Sequence, residues 1–157
     1  MFNALSRNLV WDEELVLHDG GEVTTSDIGQ YNSADRIVDL GAENISSAAV
    51  QPGGADAEGY MMIDASAVKV SAGNEIYTVH LQGSASSTFA SGIYTLGAFI
   101  LGDAAALVGD TDVTIGQWLM PFKLWQLSSG PLRYVRCYFQ NAGTSPSITS
   151  VVRLGMR

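Results

Sequence analysis

Residues 132–141 read LRYVRCYFQN, and the alternation within this stretch decides the fold class. Val135, Cys137 and Phe139 fall on one side of an extended chain, with more polar residues between them. Successive side chains of a β-strand point to opposite faces, so a period of two predicts a half-buried strand. The apolar face of such a strand needs a second layer to cover it. The pattern also predicts that Cys137 is buried and unreactive.

Similar alternation recurs along most of the chain. Turn signals such as Asp19-Gly20-Gly21 and Ser129-Gly130-Pro131 separate the alternating stretches. Only residues 103–108 have a helical pattern, and strands do not alternate with helices. About eight to nine strands with this spacing predict an all-β fold of two packed antiparallel sheets. The other predicted strands are 15–18, 36–40, 60–63, 68–71, 76–82, 93–101, 118–127 and 148–156.

The composition fits one globular domain. Of the 157 residues, 46 % are apolar and 15 % are charged, and the single cysteine excludes an internal disulfide. No apolar run approaches the roughly 20 residues of a membrane helix, and residues 1–11 lack the long apolar stretch of a secretory signal. We therefore expect a soluble protein made in the cytoplasm, with no membrane partner and one sandwich domain over residues 14–157.

The N-terminal segment differs from the rest of the chain. Its apolar residues do not alternate, and no glycine interrupts them. Residues 1–13 are therefore predicted to form an arm that docks on another copy or on a partner surface. The alternative is a short element that covers the chain's own sandwich, because termini with apolar residues usually bury them. The residues concerned are Phe2, Leu5, Leu9 and Trp11.

Charge is distributed unevenly. The net charge of −8 argues against a nucleic-acid partner. All 16 acids lie before Val113 with only three cations among them, whereas the remainder carries five cations and no acid. Two regions of opposite sign would favour oriented contacts between copies or with a larger assembly. The alternative is that early and late strands pair, so that the two regions neutralise one another.

No motif for catalysis, a cofactor or a metal is present. His18 and His80 lie in strand-like stretches without metal-ligand spacing, and phosphate loops and nucleophile elbows are absent. Asp110 and Asp112 stand two apart in a loop, but the other positions of a calcium loop are missing. We expect a protein that is not an enzyme and has no cofactor and no metal site, with Asp110 and Asp112 in a solvated turn.

Aromatic residues leave a second function class open. Trp118, Trp125, Tyr134 and Tyr138 are among the side chains that would form a flat sugar-stacking platform if they shared one exposed face. Trp118 and Trp125 are seven residues apart, so a regular strand would place them on opposite faces. A carbohydrate- or receptor-binding β-sandwich module is the alternative function that these aromatic residues leave open.

Four strings along the chain carry a family resemblance. They are RIVDLGA at 36–42, EIYTVHLQGS at 75–84, RYVRCYF at 133–139 and GTSPSIT at 143–149. This order resembles the jelly-roll capsid cement, or decoration, proteins of tailed bacteriophages. Their pattern runs from an I-D-L-G-A strand to a V-x-L-Q-x-S strand and closes with an R-Y-[LV]-R hairpin and a G-T-x-P turn.

The resemblance implies a structural virion protein of jelly-roll fold. Such a protein binds the outer surface of an icosahedral head as a homotrimer and bridges capsomers of the major capsid protein. The family has no catalytic residues to carry over. The basic C-terminal strands are predicted to meet acidic partners, which makes Arg133, Arg136 and Arg153 candidate contact residues beside the N-terminal arm.

Overall fold

The computed structural model describes residues 10–40, 58–126 and 130–156, and within these ranges strands dominate. The one helix described, α1, is a single turn at Ala104–Leu107. The strands are β1 (Val10–Val23), β2 (Asp27–Ile28), β3 (Gln30–Tyr31), β4 (Ala34–Asp35), β5 (Val38–Asp39), β6 (Glu58–Val68), β7 (Ile76–Ser84), β8 (Tyr94–Gly102), β9 (Gly116–Lys123), β10 (Trp125–Gln126), β11 (Gly130–Pro131), β12 (Tyr134–Ala142) and β13 (Ile148–Met156).

The strands form two main sheets in which every pairing is antiparallel. The four-stranded sheet has the order β1-β13-β6-β9. In the five-stranded sheet β12 lies between β7 and the two short strands β2 and β5, and β8 pairs with the other side of β7. Short ladders join β3 to β4 and β10 to β11. The prediction of an all-β, antiparallel two-sheet sandwich is confirmed.

The inward faces of the two sheets share one hydrophobic core. On β12, Val135, Cys137 and Phe139 are completely buried, as their alternation predicts. Burial of one such side chain stabilises the fold by roughly 1.5–3 kcal/mol, so the alternating faces supply most of the driving force. Other side chains of this core include Leu17, Met61, Ile63, Tyr77, Val79, Leu81, Ile148, Val152 and Leu154.

Irregular pairing in β1 places two consecutive side chains inside the sandwich. The register against β13 shifts near Val16, and both Leu17 and His18 are buried. Nε2 of His18 donates to the carbonyl of Gly21 at 2.9 Å, and Nδ1 accepts from the backbone N–H of Gln30 at 3.0 Å. Only the neutral ring with its proton on Nε2 satisfies both bonds. His18 is thus a sheet residue with both ring nitrogens engaged.

The hydroxyl of Tyr77 ties the ends of the two sheets together. Tyr77 is completely buried in β7 and belongs to the five-stranded sheet. Its hydroxyl donates to the carbonyl of Lys69 at 2.6 Å and accepts from the backbone N–H of Ser147 at 2.9 Å. Lys69 follows β6 and Ser147 precedes β13, so one oxygen joins both sheets.

A buried carboxylate closes the neighbouring turn. Glu75 has no exposed surface, and its carboxylate oxygens accept from the backbone N–H groups of Ala72, at 3.2 Å and 3.3 Å, and Asn74, at 3.4 Å. Gly73 in this turn has a φ of +72°, a conformation that glycine adopts without steric cost. The carboxylate therefore takes the place of backbone acceptors that the turn itself lacks.

Arg36 covers the free edge of β1. Its Nε donates to the carbonyl of Val16 at 3.2 Å, and a terminal nitrogen donates to the carbonyl of Glu14 at 2.8 Å. The guanidinium also lies 5.1 Å from the ring centre of Tyr31, whose hydroxyl bonds Glu13. Carbonyls on an unpaired strand edge invite another chain, and here one side chain occupies two of them.

Several strand boundaries differ from the predicted ones. The stretch 60–63 lies within the longer strand β6, which ends at Val68, so only the first residue of the predicted stretch 68–71 is in a strand; 15–18 is the middle of the long β1. The stretch 118–127 is divided into β9 and β10. Turn-like serine, alanine and glycine residues within a sheet hide such continuity, because neighbouring strands rather than propensity fix the backbone there.

The segment predicted as an arm lies partly inside the sheet. Residues 1–9, with Phe2, Leu5 and Leu9, lie outside the described residues. Val10 and Trp11 begin β1 and pair with Met156 and Gly155. The described chain therefore enters the four-stranded sheet four residues before the end of the predicted 1–13 arm.

Candidate functional site

Two of the three predicted contact arginines lie on the outer side of the five-stranded sheet. Because the alternate residues of β12 point into the core, its remaining side chains project outward beside those of β7. We call this surface the arginine–tyrosine face, and define it as Tyr134, Arg136 and Tyr138 of β12 with His80 and Gln82 of β7. Each of its members is half-buried.

Arg136 is held in one orientation at the centre of this face. Its Nε donates to Oε1 of Gln82 at 2.9 Å, and its guanidinium carbon lies 4.3 Å from the ring centre of Phe89 and 5.9 Å from that of Tyr138. Burial lowers the pKa of Arg136 from its usual value, and the nearby Tyr138 opposes this shift. No acceptor among the described residues meets the two terminal nitrogens, so a planar pair of donors faces outward.

Phe89 reaches this face from the loop between β7 and β8. It is 5 % exposed and has a φ of +50°, which is unusual for a bulky residue. Its backbone N–H bonds the carbonyl of Ser86 at 3.3 Å, and Ser86 N–H bonds the hydroxyl of Ser84 at 3.0 Å. Backbone strain of this kind costs about 1–3 kcal/mol and is offset by burial of the ring. The sequence gives no periodic signal at Phe89, so its role in the face could not be predicted.

Arg133 is already paired within the chain. Its Nε and one terminal nitrogen each lie 2.7 Å from a carboxylate oxygen of Asp39 on β5. The hydrogen bonds that Arg133 donates to Asp39 raise the pKa of Arg133 above its usual value. The two side chains are 43 % and 44 % exposed, so solvent screens the pair and its contribution to stability is small. Its geometry instead fixes β5 against the start of β12.

Arg153 lies on the opposite side of the sandwich. In the four-stranded sheet it pairs with Val16 of β1 and Met62 of β6, with its side chain on the outer face. Its Nε is buried without a hydrogen-bond partner among the described residues. The three predicted contact arginines therefore do not converge. Arg133 and Arg136 lie on the side of the five-stranded sheet, whereas Arg153 lies on the outer face of the four-stranded sheet.

Early and late parts of the chain interleave in both sheets. The late strand β13 lies between β1 and β6, and β12 lies between β7 and the short strands β2 and β5. The Arg133–Asp39 pair joins residues 94 apart in sequence. This arrangement corresponds to the alternative in which the acidic and basic regions of the sequence neutralise one another, rather than forming two separate charged poles.

The loop that contains Asp110 and Asp112 helps to cap the start of α1. Oδ1 of Asp112 accepts from the backbone N–H of Ala104 at 2.8 Å, and Oδ1 of Asp103 accepts from Ala105 and Ala106 at 2.9 Å and 3.3 Å. Together they satisfy the free N–H groups at the start of α1. Throughout the part of the chain that the structure describes, no three or more His, Cys, Asp or Glu residues group as a metal site would require.

A polar cavity of about 290 Å³ lies beside the end of β1. His18, Asp19, Glu22 and Asp27 are among the residues that line it. Asp19 already accepts from the backbone N–H of Asn32 at 2.7 Å, and Glu22 accepts from the hydroxyl of Ser147 at 2.6 Å. These carboxylates therefore serve the loops around the cavity.

Trp118 is placed against the core and not on an open platform. It lies on β9 opposite Ile63, whose side chain is completely buried, and packs on the core as a half-buried residue. Trp125 begins β10, and its side chain lies outside the described part of the structure. Of the predicted aromatic platform, Tyr134 and Tyr138 are the residues that share an outward face.

No family model matches this chain, and no curated protein matches it. Among the described residues, no helix is both long and apolar enough to cross a membrane.

Proposed function

We propose that this chain is a non-enzymatic virion protein that decorates the outer surface of an icosahedral phage head. In this proposal it folds as a jelly roll, assembles as a homotrimer after synthesis in the host cytoplasm, and cements neighbouring capsomers by binding the major capsid protein. It uses no cofactor and has no nucleic-acid or membrane partner.

The observation that carries the proposal is the meeting of the four resembling strings in space. Strings at 36–42, 75–84 and 133–139 contribute β5, β7 and β12, which are neighbours in one sheet. Tyr134 of β12 pairs with Asp39 on one side and Ser84 on the other. Strings that resemble the family at separate places in the sequence thus form neighbouring strands of one sheet, as would be expected if this chain shared the fold of the decoration proteins.

The fourth string joins the same unit. Its turn, Gly143 to Ser147, meets Asn74 just before β7: Thr144 N–H bonds Oδ1 of Asn74 at 3.1 Å, and Nδ2 of Asn74 donates to the hydroxyl of Thr144 at 2.9 Å. The turn therefore docks on Asn74, the residue directly before the string at 75–84.

Strand order supports the jelly-roll part of the proposal. A jelly roll interleaves two Greek keys across two sheets. If β2 and β5 count as one interrupted strand, the eight principal strands have the orders β1-β13-β6-β9 and β2/β5-β12-β7-β8. The first strand then lies beside the last, and the second beside the second to last, as two interleaved keys require.

The arginine–tyrosine face is the proposed contact with the capsid. The outward nitrogens of Arg136 suit a carboxylate on the shell, and Tyr138 adds a rigid apolar ring beside them. One such contact is weak. Three copies in one trimer would bind together, so the trimer leaves the shell only when every contact opens.

Sedimentation of the purified protein with expanded heads tests this proposal. We expect the wild-type protein to pellet with heads and not to bind the unassembled capsid protein. Arg136→Gln should weaken binding about tenfold per contact, which trimer avidity magnifies. Arg153→Gln, a matched change on the opposite side, should bind as wild type. Failure of the wild-type protein to bind any assembled head would overturn the proposal.

A carbohydrate-binding module is the second candidate, and the composition of the same face favours it. Tyr138 is flanked by Gln82, Arg136 and His80, whose Nε2 bonds Gln140 at 3.0 Å. A ring for stacking surrounded by planar polar groups is typical of sugar sites. Reproducible glycan-array binding that Tyr138→Ala abolishes would favour this function over capsid decoration.

A further inference from the structure

The sandwich is open on one flank, where the terminal strands of both sheets lie side by side. β8 ends the five-stranded sheet, and β9 ends the four-stranded sheet. They approach without a strand ladder: Met120 lies so close to Gly97 that a Cβ there would stand 2.4 Å from the sulfur. We define the β8–β9 flank as Phe99 and Ile100 of β8 with Trp118, Leu119 and Met120 of β9.

Four of the five large apolar side chains that are exposed in the described residues lie on this flank or in the connection between its strands, and the fifth, Ile93, directly precedes β8. Ile100 lies on the outer face of one sheet, opposite Thr78, and Leu119 on the outer face of the other, opposite Met62. A random scatter of exposed apolar residues would not concentrate them within 27 positions of the sequence. The residues are Ile93 (42 % exposed), Ile100 (57 %), Val108 (94 %), Ile115 (70 %) and Leu119 (46 %).

The core itself reaches the surface between these residues. Phe99, Trp118 and Met120 pack on the buried core but are only half-buried. The flank thus presents an apolar band that runs from Ile100 across the interior layer to Leu119. Interfaces between subunits that fold together resemble a domain core cut in half.

Charge and area both favour a second copy of the chain as the occupant. Between residues 76 and 122 there is no Lys, Arg or Glu, and the only Asp residues are Asp103, Asp110 and Asp112, all near α1. For a chain of net charge −8, this flank is where copies approach with little like-charge repulsion. The length of β8 or β9 multiplied by a sandwich thickness of about 20 Å gives a flank of roughly 500 Å² per copy. Two copies together would bury roughly 1,000 Å², which is near the lower limit for a specific protein–protein interface.

We infer that the β8–β9 flank is the surface through which copies of this chain associate. The inference rests on the homo-oligomer part of the proposed function and is independent of its capsid part. Association closes the open side of the core of each copy and removes from solvent the outer edges of β8 and β9, which pair with no further strand among the described residues.

Sedimentation velocity over a wide concentration range tests the inference. Wild-type protein should associate, whereas Ile100→Glu and Leu119→Glu should raise the dissociation constant by at least about 30-fold. Ala67→Glu, which adds the same charge at an exposed position of β6, should associate as wild type. Wild-type protein that stays monomeric at every concentration would overturn the inference, and so would glutamate variants that associate as well as wild type.

A cysteine-protection experiment covers the case in which a glutamate variant fails to fold. Cys137 is completely buried, so a cysteine introduced at the surface is the reactive thiol. Leu119→Cys should react slowly with a maleimide dye at high protein concentration and quickly on dilution, while Ala67→Cys reacts quickly at both. Equal rates for Leu119→Cys at both concentrations would contradict the inference. A monomer that still sediments with heads would overturn this inference and the homotrimer part of the proposed function but leave its capsid part standing. An oligomer that does not sediment with heads would overturn only the capsid part.

Discussion

Replacing Tyr77 with phenylalanine isolates the contribution of one hydroxyl group to the stability of the sandwich. The ring of Tyr77 is completely buried, and Tyr77→Phe keeps that ring and its packing. What it removes are the hydrogen bonds to the carbonyl of Lys69 at 2.6 Å and from the N–H of Ser147 at 2.9 Å. The change therefore leaves one backbone acceptor and one backbone donor without their partner.

The expected loss is about 2 kcal/mol of unfolding free energy. A buried polar group left without a partner costs about 1–3 kcal/mol, and here two groups are affected. Lys69 is exposed and Ser147 is half-buried, so water can reach part of the space that the hydroxyl leaves. The loss of unfolding free energy therefore stays below the sum for two fully buried backbone groups without a hydrogen-bond partner. For a domain of this size, about 2 kcal/mol lowers Tm by roughly 4–8 °C.

Urea unfolding followed by circular dichroism measures this loss at one fixed protein concentration, because association would also shift the midpoint. Tyr94→Phe is the matched control, since the hydroxyl of Tyr94 makes no hydrogen bond to the described residues and should contribute less than about 0.5 kcal/mol. If Tyr77→Phe were as stable as Tyr94→Phe, the view that this hydroxyl joins the two sheets would be wrong.

Three further changes test other parts of the fold. Burial raises the pKa of Cys137 to about 12 from its ordinary 9.0. The buried thiol therefore contributes its full stability below pH 9 and progressively less as the pH rises toward 12, because the unfolded chain loses the proton first. Cys137→Ala should remove up to about 1.4 kcal/mol per pH unit from the decline of unfolding free energy over this range, measured by urea unfolding. Gly29→Ala would place a Cβ 2.1 Å from the sulfur of Cys137 and 2.5 Å from the carbonyl of Leu17, and should lower the unfolding free energy by about 3 kcal/mol. At Gly73 no atom lies within 4 Å of an added Cβ, but φ is +72°, so Gly73→Ala should lower the unfolding free energy by only about 1 kcal/mol in the same assay. Val108 adopts a φ of +55° at the end of α1 and is 94 % exposed, so Val108→Asn should raise the unfolding free energy by about 1 kcal/mol, and a lower Tm would contradict the assigned strain.

The strands found most accurately from sequence are those with one face in the core and one in solvent. β7, β12 and β13 follow strict alternation because each is flanked by other strands and covered on a single face. β1 was harder to predict, since its irregular register turns both Leu17 and His18 inward and breaks the period of two. Pairing partners set that register, and a single sequence does not contain them.

The candidate site was predictable only in part. The outward placement of Arg136 and Tyr138 follows directly from the buried alternate residues of β12. Neither the ring of Phe89 over Arg136 nor the pairing of Arg133 with Asp39 could be predicted, because both depend on a loop conformation and on contacts distant in sequence. The open flank was also invisible: an isoleucine at 100 and a leucine at 119 look like ordinary core residues until strand order places them at sheet ends.

The order in which a ribosome makes this chain differs from the order in which the sheets are built. The two strands that hold the sheets together, β12 and β13, come from the last quarter of the chain, and each pairs with strands on both sides. Until they emerge, β1 has no neighbour in the four-stranded sheet, β6 and β7 each lack one partner, and the nascent chain carries all 16 acids with only five cations. Neither sheet is complete until β12 and β13 have emerged, so folding depends on contacts between residues distant in the sequence, which form slowly. Removal of β13 alone should therefore leave an acidic, unfolded chain rather than a shortened sandwich.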